Sequence, residues 1–157
     1  MAAPVPLLDT FTTANVLLDL GEGSKAQVLE AMVDHAVAAK ALPKARKPQV
    51  LDALVAREER ASTAFGGGMA MPHCKIDGLK KTAGVIARSV EGVEFKSVDG
   101  EPVHVFILLI SPESRSEEHL ATLQWISQAA RDPDFQSFIR QARSAEDVIE
   151  VLQERAP

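Results

Sequence analysis

The chain has 157 residues, room for one domain with a sizeable core, and its 46% apolar and 25% charged residues are ordinary globular usage, which excludes a disordered or collagen-like chain. Its 17 Lys and Arg stand against 22 Asp and Glu, a net charge of -5, so no nucleic-acid partner is expected of it. The single cysteine, Cys74, cannot close an internal disulfide and fits a reducing compartment.

The first 22 residues read as a proline-containing lead-in and then a short strand around Val16, Leu17 and Leu18. Gly21 and Gly23 break it. Ser24 and Gln27 have the spacing of a capping box, and Val28, Met32, Ala36 and Ala39, with Leu29 and Val33 beside them, recur at the helical period. Pro43 ends that helix or lies beyond its end, and Pro48 suits the first turn of the next, whose buried face is Val50, Leu51, Leu54 and Val55. A turn-rich stretch follows from Ala61 to Gly68. Buried strands are expected over Ala83 to Val90 and Val103 to Ile110, separated by the turn-forming Asp99-Gly100, with Val93 to Phe95 as a further short strand. Ser116 is the expected cap of a third helix carrying Leu123, Ile126 and Ala130. Asp132-Pro133 stops it and opens a helix with Phe135, Phe138 and Ile139, and Ser144 with Asp147 caps a last one with Val148, Ile149, Val151 and Leu152. Helices at both ends with strands between indicate a layered α/β chain, a single domain over residues 1–157 with its core from about residue 10 to 155.

The longest apolar run, Val103 to Ile110, is strand-sized and contains a histidine, so no membrane insertion is expected. The N-terminus lacks a basic, apolar leader, its first lysine being Lys25, and the expected location is the cytoplasm.

The chemistry is concentrated between Arg57 and Lys75. Gly66, Gly67 and Gly68 permit positive φ, and their amides could line an anion site, although three glycines alone make an ordinary turn. They match neither the P-loop nor the dinucleotide fingerprint. Pro72 fixes its own φ and biases Met71 to an extended conformation, so the ring of His73 leaves the chain in a defined direction. A neutral imidazole is a capable nucleophile near pH 7. One Cys and four scattered His fall short of a zinc pattern, so neither a metal nor a cofactor is expected.

Glu58, then Phe65-Gly66, then Met69-Ala70-Met71-Pro72-His73-Cys74 together resemble the phosphorylation-site fingerprint of the EIIA type-2 domains. These are the fructose, mannitol and nitrogen-related components of the bacterial phosphoenolpyruvate phosphotransferase system. The resemblance extends to Arg57-Glu58 and Ser62-Thr63 upstream, to the stretch Glu101 to Pro112, and to His119, Leu120 and Leu123 in the following helix. It implies a central mixed sheet flanked by helices on both faces. Phe65 and Gly67 depart from the family, which has a smaller aliphatic and a polar residue there; both are expected beside the site.

By the same resemblance, His73 accepts a phosphoryl group at Nε2 from an HPr/NPr-like histidine phosphocarrier. His119, near a helix N-terminus that disfavours its charged form, donates a hydrogen bond to a phosphoryl oxygen. Arg57 contributes a fork that Lys cannot copy. Arg60, Ser62, Thr63 and Lys75 are secondary candidates, and His35 and His104 are read as structural. The chain ends soon after its last helix, which favours a free-standing, nitrogen-related regulator with targets such as potassium-transport regulators or sensor kinases. The alternatives are a fructose- or mannitol-type component that passes phosphate to a permease EIIB domain, and a binding module that no longer accepts phosphate.

Overall fold

The computed structural model describes residues 2–157, so Met1 alone lies outside it. Its helices are α1 (Leu7–Thr10), α2 (Lys25–Ala38), α3 (Lys47–Arg60), α4 (Ser116–Ala129), α5 (Pro133–Gln141) and α6 (Ala145–Arg155). Its strands are β1 (Val16–Leu17), β2 (Ala64–Gly66), β3 (Met69–Ala70), β4 (His73–Ile76), β5 (Ala83–Val93) and β6 (Val103–Pro112). They form one mixed sheet in the order β1-β5-β6-β3-β2, and β4 joins β6 beyond the end of β3. β5 and β6 are antiparallel, whereas β1 runs parallel to β5, and β3 and β4 run parallel to β6.

β6 divides the core. Phe106, Leu108 and Ile110 face α2 and α3, packing with Leu29, Met32, Val33, Val50 and Leu54. Val105, Ile107 and Leu109 face the other way, onto Ile126, Phe135, Ile139, Val148 and Leu152 of the C-terminal helices. A strand covered on both faces needs apolar side chains at every position, which is why this segment reads as a continuous run instead of alternating. Each of these side chains contributes roughly 1.5–3 kcal/mol through burial, so β6 is the most consolidated strand of the sheet.

Several helix boundaries follow the expected chemistry. Ser24 and Gln27 form the reciprocal capping box of α2, and the Ser144 hydroxyl accepts from the Asp147 amide at the start of α6. Asp132 caps α5 with Pro133 at its first position. Three expectations need correction. The lead-in contains α1, pinned because Leu7 and Phe11 are buried against the sheet. The separate strand around Val93 is instead the end of β5, which carries a bulge between Arg88 and Val93 and so pairs Val93 with Val103; Phe95 is buried beyond it. Ser116 does not cap α4. The helix is entered through the turn Glu113–Arg115, Ser116 is its first residue, and the Ser116 hydroxyl donates to the Glu113 carbonyl.

This topology places the site. Pro72 interrupts the edge between β3 and β4, because it cannot supply the amide that would continue the ladder. His73 then opens β4 opposite Leu109, and Lys75 lies opposite Ser111 near the end of β6. The chain turns out of β6 and α4 folds back, bringing His119 over Ser111.

Candidate functional site

An open cleft of about 440 Å³ lies between α3, β4 and the start of α4. Arg57 and Arg60 line it from α3, His73 and Lys75 from β4, and His119 and Leu123 from α4. The three residues the sequence singled out, His73, His119 and Arg57, thus share one cleft. A cleft of about 540 Å³ around Lys25, Val55, Glu59 and Lys96 is larger but has no imidazole in its lining.

The two rings are 5.6 Å apart, centroid to centroid, and tilted by 55°. His73 is half-buried, and its Nδ1 lies 2.8 Å from the Met71 carbonyl oxygen. A carbonyl only accepts, so Nδ1 of the neutral ring carries the proton and Nε2 holds the lone pair. That nitrogen has no partner among the described residues and is not sealed from solvent. His119 is buried, and its Nδ1 lies 2.6 Å from the Ser111 hydroxyl oxygen.

Burial is the main cause that holds the His73 pKa below the ordinary histidine value. The bond to the Met71 carbonyl opposes it, and the Arg57 charge lowers it further. His119 is pushed down to about 4, first by burial and then by the positive charges that His73 and Lys75 can carry. Near neutral pH the cleft therefore presents two uncharged imidazoles beside fixed cations. Such a set can offer a nitrogen lone pair and bind an anion at the same place.

The family model for the phosphoenolpyruvate-dependent sugar phosphotransferase system, EIIA 2, matches residues 9–155. The chain belongs to that EIIA type-2 family. Two nitrogen regulatory proteins are its relatives across nearly the whole chain. That of Bradyrhizobium diazoefficiens is 34% identical, and that of Pseudomonas aeruginosa 32% identical, each over 94% of this chain and 95% of the relative. The crystal structure of nitrogen regulatory protein IIA-Ntr from Neisseria meningitidis superimposes with a TM-score of 0.80 at 29% identity, covering 92% of this chain and 97% of that one. As an EIIA type-2 domain the chain is a component of a phosphotransferase system. Among the described residues no helix is long and apolar enough to cross a membrane.

Other residues of this EIIA domain serve to hold its framework. The Glu58 carboxylate is buried and accepts from Lys25 Nζ at 3.0 Å, from the Thr63 amide at 3.1 Å and from the Thr63 hydroxyl. The Ser62 hydroxyl donates to the Phe95 carbonyl at 2.8 Å. Ser62 and Thr63 therefore fix the segment after α3 and do not line the cleft. Arg57 is half-buried and spends one Nη1 bond, 2.7 Å long, on the Ala61 carbonyl at the end of its own helix. Burial pushes the Cys74 thiol up to about 12, so it stays neutral. His35 and His104 each bond a backbone carbonyl at 3.0 Å, those of Ala14 and Ser89.

The expectation that Phe65 and Gly67 sit beside the site is not met. Gly66, Gly67 and Gly68 form the tight β2–β3 connection, with φ of 101°, 68° and 79°. Gly68 pairs with His104 and Val105 at the far end of β6, about 13 Å along the strand from Leu109, the partner of His73. The Gly67 amide is taken by the Asp99 carboxylate at 3.0 Å and is not free for an anion. Sequence reading missed two contributors, the Met71 carbonyl and the Ser111 hydroxyl. Nothing in the residue type of a methionine announces its backbone, and Ser111 is only one residue within the stretch Glu101 to Pro112.

Proposed function

We propose that His73 accepts a phosphoryl group at Nε2 from an HPr/NPr-like histidine phosphocarrier, and that the free and phosphorylated forms act as a nitrogen-related regulatory switch. The observation that carries this reading is the bond from His73 Nδ1 to the Met71 carbonyl, because it leaves the Nε2 lone pair open in a cleft that also holds His119 and Arg57. The Nε2 lone pair attacks phosphorus as the phosphorus–nitrogen bond to the donor imidazole breaks and its electron pair returns to that ring. Positioning and charge stabilisation carry most of the catalysis in such a transfer. His119, neutral at working pH, donates a hydrogen bond to a phosphoryl oxygen, and the Arg57 fork spans two of them.

The nitrogen regulatory relatives support a signalling role over sugar transport. Phosphorylation adds nearly two negative charges and strong acceptor oxygens beside Arg57 and Lys75, which changes what the cleft face can dock. Potassium-transport regulators and sensor kinases are the target classes to test.

Intact mass tests the reading, after incubation with phosphoenolpyruvate, the first enzyme of the system and the histidine phosphocarrier. One acid-labile phosphoryl adduct is expected on the wild-type chain and none on His73→Ala. Equal labelling of both would remove His73 as the acceptor. Sugar phosphate formed after adding a fructose- or mannitol-type EIIB permease domain would replace the regulatory role with transport.

A further inference from the structure

We infer that Ser111 is a positioning residue for this transfer: its hydroxyl donates to His119 Nδ1 and so holds the second imidazole in the tautomer whose proton is on Nε2. The inference rests on reading His119 as a donor to the phosphoryl group. Ser111 is 1% exposed, on a strand buried on both faces, and Nδ1 of His119 at 2.6 Å is the one hydrogen-bond partner its side chain has among the described residues. Two arrangements fit that distance. If Nδ1–H donated to the serine oxygen, the serine proton would point into the core with nothing to accept it, and a buried unmade donor is costly. If the serine donates, its proton and the Nδ1 lone pair are both satisfied. The single proton of a neutral ring then falls on Nε2, the nitrogen that has no partner among the described residues and is not sealed from solvent.

His73 is held the opposite way. The Met71 carbonyl has no proton to give, so it draws the His73 proton to Nδ1 and frees Nε2. One acceptor and one donor, placed on β-edge backbone and β6 side chain, thereby set two neighbouring imidazoles in complementary tautomers. The pair offers one lone pair to phosphorus and one N–H to its oxygen. Because Lys75 pairs with Ser111 across β4 and β6, the same ladder that places His73 also fixes Ser111 relative to it. The other charged groups lining the cleft are Arg57 and Arg60 from α3, Lys75 from β4 and the Glu113 carboxylate, and among the described residues none of them is hydrogen-bonded to either ring.

Long-range ¹H–¹⁵N spectra of the full chain at pH 7 report directly which nitrogen of each ring is protonated. In the wild type the proton is expected on Nδ1 of His73 and on Nε2 of His119. In Ser111→Ala neither tautomer of His119 finds a partner at Nδ1, so a mixture is expected. Single-turnover transfer from the phosphocarrier then slows by about three- to tenfold, the worth of one net hydrogen bond, while the adduct on His73 still forms. Ser111→Cys, whose thiol is a weak donor, is expected between the two. A wild-type His119 protonated on Nδ1, or a Ser111→Ala chain that keeps a single His119 tautomer, overturns the role of Ser111. The wild-type spectrum decides this even where a variant fails to fold. Absence of any adduct on the wild type overturns instead the transfer reading on which the role stands.

Discussion

Burial acts on both imidazoles in the same direction, and positive neighbours reinforce it. Since the folded pKa of each ring lies below the free value of 6.5, the unfolded chain binds more protons than the folded one below that pH. Stability from these rings is complete above about 6.5 and is lost as pH falls towards about 4, the His119 value. In an NMR titration the His119 ring is expected to stay neutral at pH 6 and to charge near 4; a midpoint above 6.5 contradicts the buried, cation-flanked setting. His119→Ala should slow transfer by roughly ten- to a hundredfold, the loss of one charge-assisted hydrogen bond, and still yield the His73 adduct in end-point mass. Single-turnover kinetics equal to wild type would exclude a donor role. Both histidines were legible in the sequence through their family spacing. The tautomers were not, because they depend on a backbone carbonyl two residues before one ring and a serine eight residues before the other.

At the scale of elements, the end of α3 depends on a carboxylate that the sequence marks only as acidic. Glu58 ties Lys25 at the start of α2 to Thr63 after α3, one residue from Arg57. Glu58→Ala leaves the Thr63 amide buried without a partner, and a loss of about 1–3 kcal/mol in urea unfolding is expected. The same change should slow phosphoryl acceptance, since the last turn of α3 also carries Arg57. Glu58→Gln keeps an oxygen for that amide and should recover most of the stability; equal losses for both variants would place the effect in the Lys25 ion pair instead. Capping chemistry was readable for α2, α5 and α6, where a side-chain oxygen meets an amide within three residues. α1 was not readable, because the four residues after Pro6 are too few to have a period of their own and are held by the burial of Leu7 and Phe11. Nor was the length of β5, which the sequence reading ended at Val90 with a separate strand from Val93; the two are one strand with a bulge between Arg88 and Val93, beside which His104 Nδ1 bonds the Ser89 carbonyl.

Across the whole molecule, charge is distributed against its own sum. The chain carries a net -5, yet Arg57, Arg60 and Lys75 gather on one cleft, against Glu113 as its one carboxylate. Local potential, not net charge, governs encounter with a partner that brings a phosphoryl group, and such attraction is screened within about 10 Å at 0.1 M salt. The second-order rate of phosphoryl acceptance should therefore fall several-fold between low salt and about 0.5 M, while the saturated single-turnover rate changes little. Arg60 is exposed at the end of α3 and has no side-chain bond among the described residues, so Arg60→Glu isolates this effect. Capture at low salt should slow by roughly three- to tenfold, with the difference from wild type closing as salt rises. A saturated rate that drops with Arg60→Glu would mean that this guanidinium touches the phosphoryl group itself. A salt-independent second-order rate would mean that docking is apolar, through Leu120 and Leu123 on α4, and that the basic rim acts only after the partner has arrived.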